Sequence, residues 1–219
     1  LSARKVSITL GGAGLVNCAY TNTLQLPNLV VIKHVINDNG GSAVASNFTI
    51  NVDNANVTPS GSFPGSETGI AVTLANGSYS VTETGPSGYS STLSSDCSGN
   101  ISYGQSKNCT LTNDDVGSNL TVIKVVVNDN GGTKVVSDFP LFVNGSGVTS
   151  GVSSAVGAGD YLVSETGQVG YGSSFSGDCD SSGIVVIGLS QNKTCTITND
   201  DVAPTLSLVK EVVNDNGGS

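Results

Sequence analysis

One string of residues occurs three times in this 219-residue chain, and its spacing limits what the chain can fold into. Leu29-Val-Val-Ile-Lys33-His-Val-Ile-Asn37-Asp38-Asn39-Gly40-Gly41 returns as Leu120-Thr-Val-Ile-Lys124-Val-Val-Val-Asn128-Asp129-Asn130-Gly131-Gly132. It begins again at Leu206-Ser-Leu-Val-Lys210 and runs through Asn214-Asp215-Asn216-Gly217-Gly218. Lys33, Lys124 and Lys210 thus stand 91 and 86 residues apart, close to the size of a small β-sandwich domain. A second string, Cys109-Thr-Leu-Thr-Asn113-Asp114-Asp115-Val116, recurs as Cys195-Thr-Ile-Thr-Asn199-Asp200-Asp201-Val202, with a degenerate earlier copy in Cys18-Ala-Tyr-Thr-Asn22. From each of these asparagines to the next lysine is 11 residues, so the asparagine string closes one domain and the lysine string opens the next. The expected organisation is the last strands of an upstream repeat (residues 1–26), two complete repeats (27–116 and 117–204), and the first strand of a downstream repeat (205–219). The absence of an initial Met or a signal peptide fits a processed chain or a fragment, and the register favours a window on a longer tandem array.

Composition narrows the class. Charged residues make up 11%, against ~25% in ordinary soluble proteins. Eight Lys+Arg face 17 Asp+Glu, for a formal charge of −9, so the basic footprint of a nucleic-acid binder is missing. One His leaves no Ser-His-Asp set, and no enzymatic activity is expected. The mean hydropathy of +0.09 is too high for disorder, and Gly, Ser, Thr and Asn alternating with Val, Ile and Leu favour strands and turns. No apolar run reaches the ~18–20 residues of a membrane helix. An all-β protein is expected.

Strand parity then places three polar residues in each core. Side chains alternate faces along a strand. One face of the opening string reads Leu29, Val31, Lys33, Val35, then Leu120, Val122, Lys124, Val126, then Leu206, Leu208, Lys210, Val212. Only the opposite face accepts His34, Thr121, Ser207 or Glu211, so the lysines share the core face. In the closing string Cys109, Leu111 and Asn113 share a face, as do Cys195, Ile197 and Asn199. A middle strand gives Tyr79, Val81, Glu83, and its counterpart Tyr161, Val163, Glu165. Burying a lone ammonium or carboxylate costs several kcal/mol, so such groups pair or become neutral. An apolar pocket lowers the lysine pKa and raises that of the glutamate. A neutral amine beside a carboxamide polarised by a protonated acid is set up for amide exchange, giving a Lys–Asn isopeptide bond with loss of ammonia. The alternative is a buried Lys–Glu salt bridge with Asn hydrogen-bonded beside it.

The segment Tyr79-Ser-Val-Thr-Glu83-Thr84-Gly85-Pro86-Ser87-Gly88-Tyr89 resembles the E-box of prealbumin-like, Cna B-type domains of Gram-positive pilins and surface adhesins. The resemblance implies tandem immunoglobulin-like (prealbumin-like) β-sandwiches arranged head to tail. It also implies that a glutamate catalyses an intramolecular bond between a first-strand lysine and a last-strand asparagine. The implied trios are Lys33, Glu83, Asn113 and Lys124, Glu165, Asn199. The chain departs from the pattern in a shorter Glu83–Tyr89 stretch, in Gln168 where the first repeat has Pro86, and in its paired cysteines.

Each full repeat holds two of the five cysteines, Cys97 with Cys109 and Cys179 with Cys195, while Cys18 matches the second member of a pair begun upstream. Disulfides, and with them an extracellular or cell-surface setting, are favoured over reduced core thiols, and no zinc quartet is present. Calcium is the one candidate cofactor: Asp38, Asn39, Asp114 and Asp115, with Asp129, Asn130, Asp200 and Asp201, should gather at one pole of each repeat. The bland alternative is a hairpin turn beside a solvated linker. Candidate glycosylation sites are Asn47, Asn56, Asn76, Asn100, Asn119, Asn144 and Asn192, with Asn108 weak beside its cysteine. The favoured function is a structural repeat of an extracellular stalk, fibre or filament. Its partners would be neighbouring repeats and further copies in a filament. The alternative is an adhesin repeat binding a host, matrix or glycan ligand.

Overall fold

The computed structural model describes residues 9, 11, 12, 15, 17, 19, 21 and 23–218. Cys18 and Asn22 lie outside them, so neither the upstream cysteine pairing nor the earliest asparagine string is described. The first repeat is built from β1 (Asn28–Ile36), β2 (Thr49–Asp53), β3 (Val57–Thr58), β4 (Ser62–Pro64), β5 (Ile70–Leu74), β6 (Gly77–Thr84), β7 (Tyr89–Leu93), β8 (Ser98–Ile101) and β9 (Ser106–Asp115). One sheet has the order β3-β5-β1-β9-β7, the other β4-β2-β6-β8. The second repeat contains β10 (Ser118–Val127), β11 (Leu141–Val143), β12 (Ser146–Val148), β13 (Ser153–Val156), β14 (Gly159–Glu165), β15 (Tyr171–Gly177), β16 (Ile184–Ile187) and β17 (Asn192–Asp201). Its sheets are β13-β10-β17-β15 and β12-β11-β14-β16.

The Val/Ile-rich alternation of β1 and β10 produces the buried face that parity predicts. Leu29, Val31 and Lys33 are buried, as are Leu120, Val122 and Lys124, while Val35 and Val126 are only half-buried. Across the sandwich β2 and β6 add Ile50, Val52, Tyr79 and Val81 to the first core, and β14 and β16 add Val163, Val185 and Ile187 to the second. First and last strands of each repeat run parallel side by side, Lys33 opposite Leu111 and Lys124 opposite Ile197. Each repeat is therefore threaded from one pole to the other.

The repeats differ at one edge. The first carries β3 and β4 between β2 and β5, and Gly65 packs there against Ala45 and the Lys33 stem. The second has a shorter connection, so β13 is an edge strand and Val136 is 42% exposed where Ala45 is buried at 7%. The expected strands at either end are absent among the described residues. Residues 23–27 carry none, and Leu206–Val213, expected to open a downstream repeat, is irregular and exposed. The reason is pairing: β1 and β10 each sit between two strands of their own repeat, and among the described residues no strand flanks the third copy. No helix among the described residues is long and apolar enough to cross a membrane.

Candidate functional site

The parallel pairing puts amine and amide on adjacent strands of one sheet. Lys33 lies opposite Leu111, and Asn113 stands one step further along on the same face, opposite Val35. Glu83 comes from β6 in the facing sheet, where it pairs with Ile50. Lys33 is fully buried, its Nζ 3.3 Å from Glu83 Oε2. The amine donates to the His34 carbonyl at 3.2 Å and lies 4.3 Å from the Phe48 ring centroid. In the second repeat Lys124 Nζ is 3.2 Å from Glu165 Oε2 and donates to the carbonyls of Val125 and Ile197 at 3.2 and 3.3 Å. It is also hydrogen-bonded to Asn199 Oδ1 and lies 4.6 Å from the Phe139 centroid. The structure thus brings Lys124, Glu165 and Asn199 into contact, and Lys33 to Glu83, with Asn113 on the strand beside Lys33.

Burial pushes both lysine amines below their ordinary value, an effect that Glu83 and Glu165 partly oppose. The clusters are not identical. Glu83 Oε1 accepts the Ser91 hydroxyl at 2.7 Å, and Asn113 Oδ1 is buried without a hydrogen-bond partner. Glu165 Oε1 is buried without one, and Glu165 Oε2 faces only the Lys124 amine. An amine shifted toward its neutral form, beside an amide and a carboxyl group and cut off from water, has the parts for aminolysis.

Sequence reasoning missed the aromatic floor. Phe48 and Phe139 each close a 3-10 turn (Ala45–Asn47 and Val136–Asp138) and underlie the lysine amines. Tyr89 meets Phe48 edge-on at 5.5 Å, and Tyr171 meets Phe139 likewise at 5.4 Å. The signal was the repeated Ser46-Asn47-Phe48 and Ser137-Asp138-Phe139, which carries no strand alternation.

The predicted acidic pole also forms, with a structural occupation of its own. Carboxylate oxygens of Asp38, Asp114 and Asp115 come within 4.8 Å of one another, as do those of Asp129, Asp200 and Asp201. Asp115 accepts the backbone N–H groups of Asp38 (2.9 Å), Asn39 (2.9 Å) and Gly41 (2.6 Å), closing the turn after β1 onto the end of β9. Gly41 has no room for a Cβ, which would meet Tyr89 Oη and Asp115 Oδ2. Burial pushes the Asp115 carboxyl up, but the N–H donors outweigh it and hold the group below its ordinary value. Asp201 repeats this with Asp129, Asn130 and Gly132. Burial, and after it the charge of Asp114, pushes Asp38 up. A cation at this pole would rely on Asp38 and Asp114, or Asp129 and Asp200, because Asp115 and Asp201 are committed to the turn.

Cys97 is bonded to Cys109 and Cys179 to Cys195. Asn47, Asn56, Asn76, Asn100, Asn119, Asn144 and Asn192 are all exposed, although Asn119 donates to Asn192 at 3.0 Å and the Asn144 side chain accepts the Leu162 N–H.

Both repeats match the family model of the prealbumin-like fold domain, over residues 25–113 and 115–197. Among solved structures the Bacillus anthracis TIE protein is similar at 20% identity and a TM-score of 0.48, over 81% of this chain and 34% of that one. The major pilin protein T-13 of Streptococcus pyogenes is similar at 13% identity and a TM-score of 0.38, over 82% and 98% of the two chains. Two B repeat units of the Staphylococcus aureus collagen binding protein are similar at 16% identity and a TM-score of 0.31, over 80% and 49%. This chain spans about a third of the first of these. No curated protein matches its sequence.

Proposed function

Because this chain belongs to the prealbumin-like fold domain family, with two such domains in tandem, we propose that it is a load-bearing segment of an extracellular stalk, fibre or filament whose domains lock themselves covalently. One observation carries the reading: in both repeats an amine from the first strand meets a carboxyl group from the opposite sheet, out of water, with the last-strand amide on the same face of the neighbouring strand and, in the second repeat, hydrogen-bonded to the amine. The neutral amine of Lys33 attacks Cγ of Asn113. The new C–N bond forms, the bond from Cγ to Nδ2 breaks, and Glu83 carries the proton from Nζ to the departing ammonia. Lys124, Glu165 and Asn199 act likewise. The product joins the two strands through which tension enters and leaves a repeat. The disulfides add an oxidising, extracytoplasmic setting.

Intact mass tests the reading. The folded chain is expected to be lighter by about 17 Da per repeat, the mass of one ammonia, beyond the disulfide losses. Glu83→Ala should restore the mass of the first repeat alone, and Glu165→Ala that of the second. A full-mass folded chain would leave two buried ion pairs instead.

A second reading, ligand binding by the repeats themselves, is favoured by the apolar groove of about 680 Å³ along Val135, Val136, Phe139, Pro140 and Val148; in the first repeat Gly65, which follows β4, packs against Ala45, the counterpart of Val136. Micromolar binding to a matrix protein or glycan, lost on Val136→Asp, would support it.

A further inference from the structure

The two repeats meet at a built junction, and the far end of the second carries the same seat with nothing on it. Only Val116 and Gly117 separate β9 from β10. Across this linker the Asn39 carbonyl accepts the Ala158 N–H at 2.7 Å, and the Val116 carbonyl accepts the Ser190 N–H at 2.9 Å. Gly40 lies against the Ala158 backbone and Gly88 against the Leu189 side chain. Two loops at the N-terminal pole of the second repeat, tipped by Ala158 and Leu189, thus rest on the C-terminal pole of the first.

The C-terminal pole of the second repeat reproduces that seat with Asn130-Gly131, Gly170 and Val202. φ is 96° at Gly131 and 85° at Gly170, against 86° at both Gly40 and Gly88. The turn is held by Asp201 as its counterpart is by Asp115. Space around Gly131 and Gly170 is open, and Val202 is 65% exposed where Val116 is 36%. Val169, fully exposed, stands where the first repeat has Ser87, so this seat is more apolar than the filled one. The N-terminal pole of the first repeat shows the matching part: Tyr103, 53% exposed, replaces Leu189, and Asn76 replaces Ala158. The linker path is shared as well. The Gln25 carbonyl accepts the Gly104 N–H at 2.9 Å, with Pro27 in the place of Ser118, so Pro204 in the next linker suits the same course.

We infer that Asn130-Gly131, Val169-Gly170 and Val202 form the docking seat for the N-terminal pole of a further repeat of this kind, opened by the Leu206–Lys210 string. The occupant presents a Leu- or Tyr-tipped loop to Val169 and Gly170, and a backbone N–H to the Asn130 carbonyl. The contact is head-to-tail and does not close on itself, so it propagates along an array. It rests on the tandem-array part of the proposed function and is independent of the Lys–Asn bond, which mass alone reports.

The test is the full chain through Gly218 continued by a second copy of residues 133–204, compared with the chain as it stands. On extension the amide resonances of Gly131, Val169 and Gly170 should shift. Amide exchange at the seat should slow roughly tenfold, and nitrogen relaxation should show the added repeat tumbling with the second. Val169→Asp, at an exposed position that leaves the fold intact, should undo all three. Unshifted seat resonances with independent tumbling would overturn the inference. So would concentration-dependent association of the unextended chain that Val169→Asp abolishes, since the seat would then serve contacts between chains. Should the added copy fail to fold, Leu189→Asp in the unextended chain decides. It should expose Gly88 and Val116 and make their amides exchange as fast as those of Gly170 and Val202, and unchanged exchange there would remove the loop-tip contact from which the seat is inferred.

Discussion

At the scale of the residue, the polar groups of each core divide into those for which a reaction is proposed and those that hold a turn. Asp115 is of the second kind. Its carboxyl is depressed in the folded chain, so its contribution is present above the ordinary unfolded value of about 3.9 and is lost as pH falls through the folded value. Asp115→Asn should therefore flatten the acid limb of the stability–pH curve below about pH 4, and cost about 2–3 kcal/mol at neutral pH by weakening three N–H bonds. An unchanged acid limb would show that the carboxylate does not hold the turn. Lys33 gives a slope of the same sign in an alkaline window, because burial disfavours its charged form. In Asn113→Ala, which has no amide to react with, the unfolded chain binds more protons than the folded one below 10.5, so urea midpoints should rise as pH climbs toward that value. Much of this was legible in the sequence, because period-two parity put Lys, Glu and Asn on core faces. Asp115 shares the parity of Asn113, yet the paired Asp114-Asp115 reads in the sequence as a calcium candidate or a solvated linker, and not as a group that holds a turn. Ser91 and Phe48 were invisible, because contact with the cluster depends on how the two sheets oppose.

At the scale of the element, each disulfide ties the connection before β8 or β16 to the middle of the last strand. Loops of 12 and 16 residues are worth about 3 kcal/mol each in the chain-entropy model. Replacing Cys97 and Cys109 together by Ala should lower the melting temperature of the first repeat by roughly 10–20 °C in calorimetry, and leave the second transition in place. Loss of both transitions would mean that the repeats unfold as one unit. The long strands β1, β9, β10 and β17 were readable because nine or ten alternating residues make a strong pattern. β3, β4 and β12 have two or three residues, too few to alternate, and exist only because a neighbouring strand offers them an edge. The same dependence explains the third opening string. It has the alternation of a strand, and without partners beside it stays irregular.

For the whole molecule, the two-residue linker and the Asn39–Ala158 and Val116–Ser190 bonds make the angle between repeats a property of the junction. Inserting Gly-Ser-Gly after Val116 should separate the nitrogen relaxation of the two repeats into two tumbling times, with each melting temperature unchanged. A single tumbling time after insertion would mean that other contacts hold them. Because the first and last strands of every repeat are parallel, the chain enters at one pole and leaves at the other, and each domain advances it by about one strand, roughly 30 Å at nine or ten residues. Reach is then a counted quantity. Duplicating or deleting one repeat would change the end-to-end length by a fixed step, so tandem repeats of this kind set length in whole domains, as a ruler does in graduations.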